Sequence, residues 1–173
     1  MKKSILLLLL LAAFTITRAQ APEGFQFGVG VRLGLPLGDF KASHNFGIGG
    51  EVQGEVGFAE KFSAIFTSGY SSFSGKTIDF FGTSIKYGSI GYIPILAGVR
   101  VYPANNFFIG GQLGYGILTG GGTSEGAFNY QPQIGVNVSN FQFALNFNSL
   151  TKDGESTSHL GLTGIYRFGG NSK

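Results

Sequence analysis

The sequence predicts an all-β fold: an eight-stranded antiparallel up-and-down transmembrane β-barrel. Three observations predict it. From Phe25 onward apolar residues recur at every second position, segment after segment, which is the period of a strand with two unlike faces. The connectors between segments alternate between short and long, as in barrels with tight turns at one end and loops at the other. Charged residues make up only 12 % of the chain, beside 30 Gly, 18 Phe and 7 Tyr, and that is about half the charged fraction of a soluble domain.

In chain order the first element is an export signal. Met1-Lys2-Lys3 precede the apolar run Ile5 to Phe14, and Thr17-Arg18-Ala19 supplies the small-x-small pattern read by signal peptidase. The run is about half of what a helix needs to cross a bilayer. Residues 1–19 are therefore expected to be a signal peptide, and residues 20–173 the barrel domain. Lys2, Lys3 and Arg18 carry the whole excess of 12 basic over 9 acidic residues, so the chain from Gln20 onward is neutral. Its basic residues are scattered singly, which excludes the basic face that a nucleic acid requires. The chain has no Cys, hence no disulfide, thiolate metal site or lipid-modified Cys.

Eight alternating segments follow. Phe25, Phe27, Val29, Val31, Leu33 and Leu35 oppose Gln26, Gly28, Gly30, Arg32 and Gly34. Phe46, Ile48, Val52, Val56 and Phe58 oppose Gly47, Gly49, Glu51, Gln53, Glu55 and Gly57. The third segment sets Phe62, Ala64, Phe66 and Tyr70 against Ser63, Ile65, Thr67, Gly69 and Ser71. The fourth, Tyr87 to Tyr102, sets Ile93, Ile95, Ala97, Val99 and Val101 against Tyr92, Pro94, Leu96, Gly98 and Arg100. Next, Phe107, Ile109, Leu113, Tyr115 and Ile117 oppose Phe108, Gly110, Gln112, Gly114 and Gly116. Phe128, Tyr130, Ile134, Val136 and Val138 oppose Asn129, Gln131, Gln133, Gly135 and Asn137. The last two segments run Phe141, Phe143, Leu145, Phe147 and Leu160, Leu162, Tyr166, Phe168 on the apolar face. Pro94 and Pro132 cannot donate to a ladder, so a bulge is expected at each.

Ala59-Glu60-Lys61, Pro103 to Asn106 and Ser139-Asn140 are the short connectors. Leu37 to Asn45, Ser74 to Lys86, Thr119 to Ala127 and Thr151 to Ser158 are the long ones. Alternation alone does not say which face is outside. A soluble periplasmic barrel binding an apolar ligand would turn the Phe-rich face inward, whereas a membrane barrel turns it to lipid. Gly, Gln, Asn and Ser on the opposite face suit a narrow lumen better than a solvated surface. Aromatics also gather at both ends of the apolar face, as headgroup interfaces select. Phe25, Phe27, Phe58, Phe62, Phe107, Phe141, Tyr166 and Phe168 fall at the short-turn end, and Phe46, Tyr70, Tyr115, Phe128, Tyr130 and Phe147 at the long-loop end.

Certain stretches resemble the small outer-membrane β-barrel family often called porin-like. They are Arg18-Ala19-Gln20, Tyr92-Ile93-Pro94-Ile95-Leu96 with Val99-Arg100-Val101-Tyr102-Pro103, and the closing run Leu160 to Phe168. The resemblance implies a cell outer-membrane location and contact with outer-membrane lipid and lipopolysaccharide. It also implies handling by the barrel-assembly machinery, and no cofactor or enzymatic site. One departure is that the terminal aromatic of such proteins is often the last residue, whereas Phe168 is followed by Gly169 to Lys173.

The candidate site is a lumen ionic network of Arg32, Glu51, Glu55, Arg100 and Arg167, all on the inward parity. Ionised groups in a narrow lumen lose water and need partners, and Arg offers planar donors matched to a carboxylate. Glu51 is expected near Arg32 across the first hairpin, and Glu55 level with Arg100 or Arg167. Such a network is either a polar plug, giving a structural or surface-interaction protein, or the gate of a narrow channel for ions or very small solutes. Eight strands enclose room only for side chains or one small ligand, which favours the plug. The ligand of the outer loops is not legible. Catalytic, cofactor and metal residues are not expected. The histidines His44 and His159, with Asp79, Ser84 and Ser158 beside predicted outer loops, show no spacing that links a nucleophile to a base. Gly120 to Ser124 lacks the Lys and helix of a phosphate loop and reads as a flexible loop, and Asn137-Val138-Ser139 is a sequon at a predicted turn.

Overall fold

Side chains that alternate in polarity stand on opposite faces of an extended backbone, and a sheet of such strands can bury all its hydrogen-bonding edges only by closing. The structure, a computed structural model, describes residues 21, 22, 24–80 and 83–169; the expected signal peptide lies outside them. The elements are β1 (Phe25–Leu37), α1 (Gly38–Ser43), β2 (His44–Ala59), β3 (Phe62–Gly75), β4 (Thr77–Phe80), β5 (Thr83–Lys86), β6 (Ile90–Ala104), β7 (Phe107–Gly120), β8 (Thr123–Val138), β9 (Phe141–Lys152) and β10 (Glu155–Gly169). Eight strands form a closed barrel in the order β1-β10-β9-β8-β7-β6-β3-β2, and β1 pairs with β2 to complete it. Every neighbouring pair is antiparallel, so the expected fold class is borne out. The β4–β5 hairpin is a separate two-stranded sheet.

The apolar stripe faces outward. Val29, Val136 and Leu145 are 38 %, 41 % and 47 % exposed, while Gln131, Gln142 and Asn148 on the other parity are buried. This orientation overturns the alternative of a soluble barrel with a Phe-lined interior. Aromatics are exposed at both ends of the stripe, Phe25, Phe58 and Phe168 at one and Phe46, Tyr70 and Tyr115 at the other.

All four long connectors differ from the sequence reading, the second because it holds the β4–β5 hairpin. The first contains α1, too short to show a helical period. The third and fourth are mostly strand: β7 and β8 extend to a two-residue turn at Gly121 and Gly122 (φ 59 and 84), and β9 and β10 to one at Asp153 and Gly154 (φ 51 and 86). Paired positive φ values are those of the hairpin turn that matches strand twist, which Gly-Gly and Asp-Gly adopt at little cost. The stretch Gly120 to Ser124 is therefore a tight turn rather than a flexible loop.

Neither proline makes a bulge. Pro94 stays in register with Gly116, and Pro132 with Gly111. On the other side of each, the ladder breaks and resumes unshifted: from Ser68–Ile95 to Ser71–Tyr92, and from Tyr130–Ser149 to Gln133–Asn146. A missing N–H interrupts pairing on one side without inserting a residue. The register shifts lie instead at strand ends, between His44 and Gly47, Gly57 and Ala59, and Val101 and Ala104.

Candidate functional site

The lumen is filled in layers. Arg32 on β1 and Glu51 on β2 share the inward parity, and their register neighbours, Gly49 and Gly30, place them two residues apart along the hairpin. The Arg32 Nε donates to Glu51 Oε2 at 2.5 Å, and its Nη2 makes an ion pair with the same oxygen. The remaining donors reach across the lumen, Nη1 to Asn148 Oδ1 (3.3 Å) and Nη2 to Gln131 Oε1 (3.1 Å).

Nearer the short-turn end lies a second ion pair. Arg100 on β6 donates through Nη1 to Glu55 Oε2 on β2 at 2.6 Å, with β3 between the two strands. Its Nη2 donates to Gln53 Oε1 (3.1 Å) and Gln133 Oε1 (3.0 Å), and its guanidinium carbon stands 4.2 Å from the centre of the Phe108 ring. The other Glu55 oxygen accepts from Ser63 Oγ and Tyr102 Oη, both at 2.5 Å. All four ionised side chains are buried. A buried charge persists only when paired and hydrogen-bonded, and the amides supply the acceptors that the carboxylates leave unmet.

Arg167 departs from the expected network. It donates to Gln26 Oε1 (3.0 Å) and to the Ser139 carbonyl (2.7 Å), so it ties β10 to β1 and to the β8–β9 turn rather than meeting a carboxylate. Its position near the end of β10 leaves Arg100 as the partner of Glu55.

Two apolar clusters, which the sequence reading did not single out, cap these layers. Phe40, Phe73, Tyr92, Ala127 and Leu150 form one at the long-loop end, and Ala21, Tyr102, Phe108 and Ala144 the other at the short-turn end. Phe73 fits inside because Gly34 and Gly47 lack side chains: a Cβ on either would stand 2.7 Å or less from its ring. The readable signal is an aromatic on the inward parity, where the neighbours are Gly or amides. Tyr92 also bonds into the polar layer, donating to Asn148 Oδ1 at 3.3 Å and accepting from Asn129 Nδ2.

The residues weighed for catalysis are dispersed. His159 is not in a loop but points into the lumen from β10, with its ring 5.1 Å from that of Phe73 and 5.2 Å from that of Tyr92. Ser158 donates to Ser149 Oγ at 3.0 Å. His44 sits beside α1, its Nδ1 2.8 Å from Ser43 Oγ and its Nε2 3.2 Å from the Gly88 carbonyl. Asp79 and Ser84 are register partners in the β4–β5 hairpin. Among the described residues no three His, Cys, Asp or Glu side chains converge as a metal site would require.

Solved structures share this architecture. The backbone of the outer membrane protein Ail of Yersinia pestis, in a phospholipid bilayer nanodisc, matches with a TM-score of 0.60 at 18% identity over 84% of this chain and 100% of Ail. The outer membrane protein OprG from Pseudomonas aeruginosa matches with a TM-score of 0.54 at 11% identity, over 88% of this chain and 99% of OprG. A de novo designed transmembrane β-barrel matches at 0.50 and 9% identity, over 86% of this chain and 99% of the design. At such identities the likeness concerns the fold alone, that of a small closed β-barrel. No protein-family model and no curated protein matches the sequence.

Proposed function

We propose that this chain is an integral outer-membrane barrel with a plugged lumen, acting as a non-enzymatic structural or surface-interaction protein. The observation that carries the reading is the pair of buried, cross-linked Arg–Glu layers held between two apolar caps, inside a wall whose outer face is apolar. Export through a cleaved signal peptide, insertion by the barrel-assembly machinery, and contact with outer-membrane lipid and lipopolysaccharide belong to the same reading. The short-turn end then faces the periplasm. Conductance of the purified protein in planar bilayers tests the plug, with Glu51→Gln as comparison. The expected result is no steady conductance in either, and a current that Glu51→Gln alters would overturn it.

A second reading, a narrow path for ions or very small solutes, has its own support. Thr67 Oγ1, Gln112 Oε1 and Gln133 Nε2 are buried without a hydrogen-bond partner, and buried polar atoms of this kind ordinarily hold water. The same bilayer measurement decides between the two.

A further inference from the structure

The outward face of the wall is uneven. On β8 and β9 its side chains are large, as at Ile134, Val136, Phe143 and Leu145, all exposed. On β2 and β3, which stand opposite those strands in the closed order, and on neighbouring β6, Gly54, Ala64 and Ala97 take the same parity. Register sets Phe27, Gly54, Phe66 and Ala97 side by side across β1, β2, β3 and β6, so large and small residues alternate. The result is a furrow of about 470 Å³, floored by Gly54, Ala64 and Ala97, walled by Phe25, Phe27 and Phe66, and almost wholly apolar. Its lining belongs to neither buried cluster of the lumen. The barrel itself does not require the glycine. Gly54 has no positive φ, and a Cβ there would meet only the exposed ring of Phe25, at 3.3 and 3.4 Å.

The geometry points to a lipid site: the furrow holds one acyl chain of a glycerophospholipid from the periplasmic leaflet, and keeps it longer than the rest of the wall keeps its lipid. This deepens the membrane reading above and rests on it. A groove in a lipid-facing wall is continuous with the bilayer, and its volume lies in the range of small-molecule sites. Hydrocarbon laid across a gap in the wall regains contacts that a void forfeits, and the three aromatic walls add contact area on its flanks. The leaflet follows from depth. Ala64 is three residues from Lys61, and Gly54 six from Glu60, at the short turn between β2 and β3. At the rise and tilt of barrel strands that is about 8 and 15 Å along the membrane normal. Both depths fall in the nearer half of a hydrocarbon core about 30 Å thick. A second copy of the chain is the other apolar occupant, but eleven residues line the furrow, where a stable interface takes about 20–30 a side.

The test is native mass spectrometry of the full barrel, transferred from vesicles into a mild detergent. Dimyristoyl phosphatidylcholine and dimyristoyl phosphatidylglycerol serve as probes in separate preparations. The expected spectrum shows one retained phospholipid per barrel, with either headgroup. Ala64→Phe and Ala97→Phe each fill the floor with a side chain suited to a lipid-facing position. Each should cut the retained fraction about three-fold, the scale of a handful of lost carbon–carbon contacts. Val136→Phe, on the opposite wall, should leave it unchanged. Retention of no lipid overturns the inference, as does retention that either floor variant leaves intact. Retention of the anionic lipid alone overturns it too, because a headgroup contact would then be what holds the lipid. A mass of two barrels that the floor variants return to one overturns it in favour of a second copy. Lipid retention is blind to whether the lumen conducts, and a barrel that fails to enter vesicles is detected by flotation before any spectrum is taken. Loss of this site is therefore distinguishable from loss of the plug or of the membrane reading.

Discussion

The two ion pairs of the lumen use the same chemistry but are anchored differently. Arg32 and Glu51 sit on neighbouring strands of one hairpin, and among the described contacts Glu51 accepts from Arg32 alone. Glu55 reaches past β3 to Arg100 and also accepts from Ser63 and Tyr102. The first is a local pair whose arginine then braces the far wall. The second is a multi-strand staple centred on a carboxylate. The difference teaches that damage should depend on which group is left unpaired and on how many strands it tied together.

The largest effect is expected at the staple. Arg100→Met leaves the Glu55 carboxylate buried with two hydroxyl donors and no counter-charge, and removing one partner of a buried pair destabilises by about 3–5 kcal/mol. Urea unfolding in lipid vesicles measures this. Adding Glu55→Gln to Arg100→Met should restore much of the loss, because the uncompensated charge disappears. If the double variant is no better than the single one, packing of Arg100 on Phe108 matters more than its charge.

In the local pair the effect should be smaller. Glu51→Gln keeps an acceptor for Arg32, and Gln131 and Asn148 continue to bond the guanidinium. A loss of about 2 kcal/mol is expected, between that of a hydrogen bond to a charge and that of a fully stranded ion. A loss as large as that of Arg100→Met would erase the distinction between the two layers. The tyrosines sharpen it further. Tyr102→Phe removes a donor to a carboxylate and should cost about 2 kcal/mol, whereas Tyr92→Phe, which donates to the Asn148 amide rather than to a carboxylate, should cost about 1 kcal/mol.

Much of this architecture was legible in the sequence. Strand number and parity follow from a period-two pattern repeated around a closed wall, and the outward face from the composition of its two sides, Gly and amides against aromatic-capped apolar residues. The contact between Arg32 and Glu51 needs only parity and one hairpin register, both local. The partner of Glu55 is another matter: Arg100 and Arg167 share its parity, and choosing between them requires the stagger of the closed barrel, which no single hairpin encodes. The caps were hidden for a similar reason. Phe73 lies past the clear part of its segment, and its seat is made by the absence of side chains at Gly34 and Gly47, on other strands. Helix α1 is a turn and a half long, below the length at which a helical period shows. The extension of β7 to β10 was signalled by Gly121-Gly122 and Asp153-Gly154, which are turn dipeptides before they are loop composition. Pro94 and Pro132 show that a sheet can lose pairing on one side of a residue and keep its register.

The smallest expected effect concerns how far the layers are independent. Glu51 and Glu55 are four residues apart on β2, about 13 Å at the rise of an extended strand, and their arginines share no acceptor. Their amide partners Gln131 and Gln133 are nonetheless close on β8, which gives a route for coupling. Sites at this separation without a shared partner usually add to within about 0.5 kcal/mol. A double-mutant cycle of Glu51→Gln and Glu55→Gln, read by urea unfolding, should therefore give an interaction energy below that value. A coupling above about 1 kcal/mol would mean that the β8 amides transmit between the layers. The lumen would then act as one cooperative network, in which a ligand or charge change at one end could be felt at the other.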